Sequence, residues 1–247
     1  LQVPAKWLQP YVGRFPEKAY YGQYGYAAHP YPMSAYAAMI THLDAQVGLI
    51  MQQLKHLGLD SNTLVLFSSD NGATFHRSVD AAFFKSNGPL RGYKMDVYEG
   101  GIRVPLLARW PGSIKPLTVS HALTAQYDVP ATLQELAGGA AVHADGQSFL
   151  NVLKGSTPPA PKEYVYVEYP ENGGQVAVVM QQWKTVKKGM KTNRQAAWEL
   201  YYLPADPAEQ NDVAAQHPEI ISRINAIVQK EHQPAHIREW EFINPLH

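Results

Sequence analysis

Two oxygen-bearing side chains, Asp70 and Asn71, stand where a run of apolar residues gives way to a loop. The run reads LVLF over residues 64–67 and predicts a buried β-strand that ends just before the pair. A carboxylate and an amide oxygen at a strand end are the kind of hard ligands that Ca²⁺ or Mg²⁺ takes in proteins. A simple Asp-Asn-Gly turn would explain the same residues without any chemistry. The metal site is therefore a hypothesis that the following residues must support.

A lysine and a histidine follow this pair and could act on an anion bound at the same place. Lys94 ends the sequence GPLRGYK at residues 88–94. If Lys94 converges on the metal, its ammonium would hold the oxygens of an anion and offset negative charge that develops on them. A solvated surface lysine is the alternative. His76 could donate a proton to a leaving group or simply face solvent.

The sequence YEGGIRVP at residues 98–105 leads from this segment into the next apolar run. Its two glycines permit either a turn with positive φ or a close approach of backbones. Arg103 is expected to pair with an acid such as Glu99 and brace the loop. Metal ligands, then a lysine, then a second strand together indicate an anion site.

The elements that would position these residues follow from hydrophobic periodicity. Apolar residues between 34 and 54 recur every three or four positions, which predicts an amphipathic helix capped by Ser34 and followed by Gly58. Apolar strands are predicted at residues 63–67 and 104–110. Strands of this kind alternating with helices favour an α/β fold with a mostly parallel sheet flanked by helices, where ligands gather at the carboxyl ends of strands.

Two domains are predicted, residues 1–155 and 156–247. The first contains the α/β sheet, preceded by a proline-rich segment with a short helix at residues 5–11. A polar, proline-rich stretch at residues 155–162 is the best linker candidate. Beyond it, four short β-rich runs and an amphipathic helix after Pro218 predict a small antiparallel sheet packed by one helix. The runs cover residues 164–169, 175–180, 183–187 and 198–203.

Composition excludes several classes of function. Lys plus Arg equals Asp plus Glu at 21 each, so no global field attracts nucleic acid or acidic membranes. The absence of cysteine excludes disulfides, thiolate metal sites and a cysteine nucleophile within these 247 residues. No apolar run approaches the roughly 20 residues of a membrane-spanning helix. The N-terminus is neither a signal peptide nor a starting methionine, so we expect the chain to begin in mid-protein.

These motifs together resemble the type I sulfatases, arylsulfatase-like members of the alkaline phosphatase superfamily. The resemblance implies that Asp70 and Asn71 ligate one Ca²⁺ and that Lys94 contacts the sulfate of the substrate. Lys94 is therefore a candidate catalytic and substrate-binding residue, and His76, from its position five residues after Asn71, is the second candidate for both roles. The implied activity is hydrolysis of aryl or carbohydrate sulfates, and the implied location is periplasmic or secreted. The matching segments are residues 64–72, 88–94, 98–105, 145–150 and 199–207.

The resemblance also shows what this sequence lacks. Sulfatases of this type use a formylglycine nucleophile made from the first residue of a C/S-x-P-x-R motif, and no such motif occurs here. Residues 1–8 look like the text that follows the family's Pro-His-x-Pro segment, so the chain resembles the C-terminal portion of a sulfatase. We expect an incomplete calcium site and no activity from the chain alone. A half-sheet exposes an edge and apolar faces, which predicts pairing with the missing N-terminal half or a homo-oligomer.

Two alternatives stay open at this stage. One is a phosphoester or phosphonate hydrolase of the same superfamily, although such enzymes typically add Asp and His ligands for a second ion and Asp70 is followed by Asn. The other is a non-catalytic module that keeps the fold and binds sulfated glycans or a partner.

Overall fold

Short elements dominate the computed structural model, which describes residues 1–74, 78–139, 145–157 and 160–244. Within them, the α-helices are Ala5–Leu8 (α1), Pro32–His56 (α2), Ala81–Phe84 (α3), Glu99–Ile102 (α4), Val129–Leu136 (α5), Leu150–Leu153 (α6) and Pro218–Glu231 (α7). The strands are Val65–Ser68 (β1), Leu106–Arg109 (β2), Tyr164–Tyr169 (β3), Gln175–Met180 (β4), Trp183–Lys188 (β5) and Glu199–Tyr202 (β6). Single 3₁₀ turns occur at Gln9–Tyr11, Asp60–Asn62, Gln126–Asp128, Ala214–Gln216 and Arg238–Trp240.

The chain divides into two compact units. Unit 1 comprises residues 1–65, 74–86 and 109–112, and unit 2 comprises residues 66–73, 87–108 and 113–247. The predicted sites at Asp70, Asn71 and Lys94 all belong to unit 2. The division into domains near residue 155 stays a prediction.

Helix α2 is the longest element of unit 1 and packs against α1 and the 3₁₀ turn that follows it. Its predicted start at Ser34 is wrong by two residues, because Pro32 begins the helix, where a missing N–H is tolerated. The Glu17 carboxylate accepts hydrogen bonds from the backbone N–H groups of Met33 and Ser34 at 3.0 and 2.7 Å. Glu17 therefore satisfies two of the free donors at the start of the helix, whereas the Ser34 hydroxyl donates to the Tyr11 carbonyl at 2.8 Å and does not cap the helix. The predicted helix at residues 5–11 is confirmed as α1 and its 3₁₀ turn.

The predicted burial of the first two strands is wrong for the described chain. Strands β1 and β2 form a two-stranded sheet, in which Phe67 is 36% exposed and Leu107 is 63% exposed. These two side chains are exposed because a sheet is buried only where helices or other elements pack on its faces. A mostly parallel sheet stays a prediction. Among the described residues, no helix has the length and apolar character needed to cross a membrane.

The predicted C-terminal antiparallel sheet is confirmed. Strands β3, β4, β5 and β6 pair in that order, with antiparallel pairing at each step. β3 and β4 have the predicted bounds, β5 is one residue longer, and β6 is one residue shorter at each end. Every residue of β4 is buried. Helix α7 contributes a stripe to the same core, made of Ile220, Ile224, Ile227 and Val228.

Candidate functional site

The predicted metal pair, Asp70 and Asn71, lies in the loop directly after β1, at residues 69–73 (the metal-pair loop). Asp70 is exposed and Asn71 is partly buried. The side-chain amide nitrogen of Asn71 donates to the carbonyl oxygen of Gly72 at 3.0 Å, so its Oδ1 is left as the acceptor end of the amide. Ser68 anchors the end of the strand, since its hydroxyl donates to the Pro105 carbonyl at 2.9 Å. Both candidate metal ligands therefore lie on a loop whose first end is held by a hydrogen bond to Pro105.

Glycines allow this loop to cross the YEGGIRVP segment at very short range. The backbone N–H of Gly72 donates to the Gly101 carbonyl at 2.8 Å, and a Cβ on Gly72 would lie 1.9 Å from the Gly100 carbonyl oxygen. A Cβ on Gly100 would in turn lie 2.3 Å from the Gly92 carbonyl oxygen. Of the two roles predicted for the glycines at 100 and 101, close backbone approach is the one observed, because neither has a positive φ.

Lys94 is joined to the metal-pair loop through its backbone. The backbone N–H of Lys94 donates to the carbonyl oxygen of Ala73 at 2.8 Å. Lys94 is an exposed residue. The structure thus joins the segments of Asp70, Asn71 and Lys94 through a backbone contact, and the anion site itself stays a prediction. His76 lies outside the described residues.

Side chains of the C-terminal sheet hold the segment that carries Lys94. Lys188 Nζ lies 3.0 Å from Asp96 Oδ1, and Gln175 Nε2 donates to the Met95 carbonyl at 3.0 Å. Met95 has a φ of 75°, a left-handed conformation that residues other than glycine rarely adopt. The surrounding contacts therefore fix a strained residue next to Lys94.

Arg91 joins the same segment to β6 and the loop beyond it. Its guanidinium carbon lies 3.8 Å from the centroid of the Tyr98 ring, and its Nη1 donates to the Tyr201 hydroxyl at 3.0 Å and to the Glu209 carbonyl at 2.8 Å. The Tyr98 hydroxyl donates to Glu199 at 2.6 Å. Burial, together with this bond to a carboxylate, raises the pKa of Tyr98 well above its ordinary value. Tyr98 therefore remains a hydrogen-bond donor.

A buried ion cluster lies beneath α4. Lys184 Nζ is 2.8 Å from Glu99 Oε1 and 3.6 Å from Glu209 Oε1, and Glu209 Oε2 accepts the backbone N–H of Glu99 at 2.7 Å. Burial raises the pKa of Glu209 to about 7, against the attraction of Lys184 and the hydrogen bond from Glu99. The predicted pairing of Arg103 with Glu99 is present at 3.3 Å.

Sequence patterns missed Lys184 and Glu209. Lys184 lies in the strand run WKTVK, where a lysine ordinarily faces solvent. Glu209 lies in a loop and carries no signal of burial. The burial of Lys184 depends on carboxylates distant along the chain, which are Glu99, 85 residues before it, and Glu209 in the loop after β6.

The residues present fit a calcium ion in kind but supply only part of its ligands. The Asp70 carboxylate and Asn71 Oδ1 are hard oxygen donors, whereas calcium takes six to eight oxygens. Among residues 1–74, 78–139, 145–157 and 160–244, no group of three or more His, Asp or Glu side chains is arranged to hold a metal. Further ligands would have to come from other residues or from water.

Solved structures similar to this chain include sulfatases of the alkaline phosphatase-like fold, and a phosphonate monoester hydrolase from Silicibacter pomeroyi shares the fold at 21% identity and a TM-score of 0.61. The crystal structure of Ps i-CgsB in complex with k-i-k-neocarrahexaose superposes with a TM-score of 0.74 and 25% identity, covering 93% of this chain and 46% of that one. A sulfatase structure from work on glycosaminoglycan metabolism in Bacteroides thetaiotaomicron gives a TM-score of 0.67 and 32% identity, covering 81% and 44%. The fold class is therefore that of a sulfatase-like hydrolase.

The chain belongs to the sulfatase family, a family of sulfuric ester hydrolases, because the model of that family matches residues 2–140. A second model, described as N-sulphoglucosamine sulphohydrolase, C-terminal, matches residues 93–233. The chain is 35% identical over 212 residues to an N-acetylgalactosamine-6-O-sulfatase of Bacteroides thetaiotaomicron, covering 77% of this chain and 40% of the relative. It is 39% identical over 136 residues to human arylsulfatase A, covering 53% and 26%. The chain thus spans less than half the length of these relatives.

Proposed function

We propose that this chain is the part of a sulfatase that supplies two calcium ligands and a sulfate-binding lysine for the hydrolysis of sulfate esters. The observation that carries the proposal is the hydrogen bond from the Lys94 N–H to the Ala73 carbonyl, which joins the lysine segment to the loop of Asp70 and Asn71. Membership of the sulfatase family supports the reaction class.

Each residue has a distinct part in this proposal. Asp70 and Asn71 would hold the cation through a carboxylate oxygen and Oδ1. When bound there, calcium would supply Lewis-acid polarisation of the sulfate oxygens. The Lys94 ammonium, a compact charge on a flexible stem, contacts those oxygens and offsets the charge that develops as the ester bond breaks. His76 is a candidate proton donor to the leaving oxygen.

The nucleophile is proposed to lie outside these residues. Neither a cysteine nor a Ser-x-Pro-x-Arg run occurs in the sequence, so formylglycine would have to come from another part of a longer protein. We accordingly propose that the chain alone is inactive, that it works with an N-terminal part or a second copy, and that the whole protein is periplasmic or secreted.

Sulfated carbohydrates are the proposed substrates. The relative named N-acetylgalactosamine-6-O-sulfatase matches 77% of this chain, whereas a rat relative named steryl-sulfatase matches 53%. The longer match with the carbohydrate enzyme favours a sugar sulfate, and steroid and aryl sulfates are the comparison substrates.

The test uses the full-length protein that the gene encodes, with its formylglycine installed. N-acetylgalactosamine 6-sulfate, an aryl sulfate, an aryl phosphate and a phosphonate ester are offered with calcium and after chelation. We expect the sulfate esters to be hydrolysed in a calcium-dependent manner, and Asp70→Ala to remove calcium binding measured by titration calorimetry. Asp44→Ala on α2 is the matched control for loss of an exposed carboxylate.

Two outcomes would overturn the proposal. Faster turnover of the phosphate or phosphonate ester would assign the protein to the other hydrolases of the superfamily. Binding of a sulfated glycan without hydrolysis, in a protein that carries formylglycine, would assign it to the non-catalytic modules.

A further inference from the structure

A lysine and two glutamates lie in the interior of unit 2, where charged side chains are rare. Lys184 and Glu209 have no exposed surface, and Glu99 is 4% exposed. Lys184 comes from β5, Glu99 opens α4, and Glu209 belongs to the loop after β6. The cluster therefore connects the C-terminal sheet to the segment that carries Lys94.

Stability alone does not account for this cluster. Removing three charges from water is costly, and apolar residues of similar volume often stabilise a core as well or better. The numbers of positive and negative groups are also unequal, because the single ammonium of Lys184 faces two carboxylates, that of Glu99 at 2.8 Å and that of Glu209 at 3.6 Å. A role in holding a defined geometry fits these contacts better than a role in packing.

The geometry that the cluster fixes is the backbone around the anion site. Glu209 Oε2 accepts the N–H of Glu99, the residue directly before the glycines that cross the loop after β1. Gly101 accepts the N–H of Gly72, next to Asn71. A shift of α4 would therefore move the metal-pair loop.

The lysine segment depends on the same crossing. The N–H of Gly100 donates to the Arg91 carbonyl at 2.6 Å, three residues before Lys94. The Glu209 carbonyl also accepts from the Arg91 guanidinium at 2.8 Å, so both ends of residues 91–99 are tied to Glu209.

We propose that Lys184 and Glu209 are positioning residues, which set the distance between the Lys94 segment and the loop of Asp70 and Asn71. The proposal rests on the proposed sulfatase function for its catalytic consequence. Neither residue contacts the site itself. They act on the site through their contacts with Glu99 and Arg91, and through the backbone hydrogen bonds of Gly100 and Gly101.

Two substitutions of Glu209 distinguish the effect of its side-chain length from the effect of its charge. Glu209→Asp keeps the charge but withdraws the carboxylate from the Glu99 N–H, and we expect kcat for a sulfate ester to fall about tenfold or more in the full-length protein, with KM changed less than about threefold. Glu209→Gln keeps the acceptor and loses the charge, and we expect kcat within about threefold of the unmodified protein.

Glu241→Asp is the matched control. Glu241 is a buried carboxylate of the same unit that accepts three backbone N–H groups, from Ala235, Ile243 and Asn244, and it does not contact residues 91–103. We expect this variant to lose stability and keep kcat. An equal loss of kcat in Glu241→Asp and Glu209→Asp, or no loss in Glu209→Asp, would overturn the proposal.

Hydrogen exchange followed by mass spectrometry tests the same idea without turnover. In Glu209→Asp we expect the amides of Gly72 and Lys94 to exchange at least about fivefold faster, with no such change in Glu241→Asp. Unchanged exchange at both amides would reject the positioning role even if the protein is an active sulfatase. If the unmodified protein hydrolyses no sulfate ester, the proposed function fails, and the exchange comparison still decides whether the cluster positions the two segments.

Discussion

The backbone N–H of Gly72 donates to the carbonyl oxygen of Gly101 at 2.8 Å. This bond joins the residue after Asn71 to the glycine pair inside α4, so the metal-pair loop and the segment after Lys94 cross at their backbones. Side chains are excluded there, since a Cβ on Gly72 would come within 1.9 Å of the Gly100 carbonyl oxygen.

Substitution Gly72→Ala should therefore separate the two segments. The added methyl group forces the backbones apart, and we expect a loss of about 2 kcal/mol in the free energy of unfolding, together with loss of calcium binding. Urea denaturation and calorimetric titration measure the two effects. Gly48→Ala is the control, because a Cβ there meets nothing within 4 Å and alanine is the better helix former in α2. Equal stability of the two variants would refute the tight crossing.

Removal of the Lys94 charge should affect catalysis and leave folding intact. Lys94 is exposed, so Lys94→Met changes little buried surface. We expect kcat/KM for a sulfate ester to fall about 100-fold in the full-length protein, with an unchanged melting temperature. Lys115→Met removes another exposed lysine and should keep full activity. Similar activities of the two variants would show that Lys94 does not reach the sulfate.

Glu209 should make the protein less stable as the pH rises towards 8. Burial raises its pKa from an ordinary value of 4.5 to about 7, so folding favours the protonated form. This contribution is fully present below about pH 4.5 and is lost as the pH rises through about 7, a change on the order of 2 kcal/mol between pH 5 and 8. Urea denaturation across that range should show a smaller pH dependence in Glu209→Gln.

Glu241→Gln provides the contrast for this measurement. Burial alone would raise the pKa of Glu241, but hydrogen bonds from the backbone N–H groups of Asn244, Ala235 and Ile243 and the charge of His232 lower it overall. Its contribution is therefore present above its ordinary pKa of 4.5 and is lost only as the pH falls below that value. Because the Glu241 carboxylate itself titrates below pH 5, Glu241→Gln should not reproduce the reduced pH dependence expected of Glu209→Gln between pH 5 and 8. A slope that stays unchanged in Glu209→Gln would contradict the assignment.

The 247-residue chain by itself should hydrolyse no aryl sulfate above the buffer rate, since it contains neither a cysteine nor a Ser-x-Pro-x-Arg run from which formylglycine could form. The release of a fluorescent phenol from an aryl sulfate measures the activity. The full-length protein, with formylglycine installed, serves as the positive control. Turnover by the short chain well above buffer would sink the idea that the nucleophile lies elsewhere.

Local patterns predicted the C-terminal half of the structure closely. Strands β3 and β4 are short runs rich in tyrosine and valine and bounded by turn residues, and both features are local, so their bounds were predicted to the residue. The acid and amide at residues 70 and 71 were likewise placed at a strand end by the apolar run before them.

Burial depends on contacts that no local pattern contains. The apolar character of β1 and β2 predicted covered strands, yet Leu107 is 63% exposed, because in the described residues no layer covers its side of the two-stranded sheet. Lys184 shows the opposite error. Its charge indicated solvent, while two distant carboxylates make its burial tolerable.

The buried cluster also limits how related sequences can be recombined. A chimaera joined near residue 155 would take Glu99 from one parent and both Lys184 and Glu209 from the other, so a second parent without Lys184 would leave the buried Glu99 carboxylate without its buried counter-ion. The C-terminal sheet is therefore exchangeable between relatives only together with residues 91–103. For protein engineering, the smallest unit to exchange therefore consists of two separate segments of the chain, residues 91–103 and the C-terminal sheet.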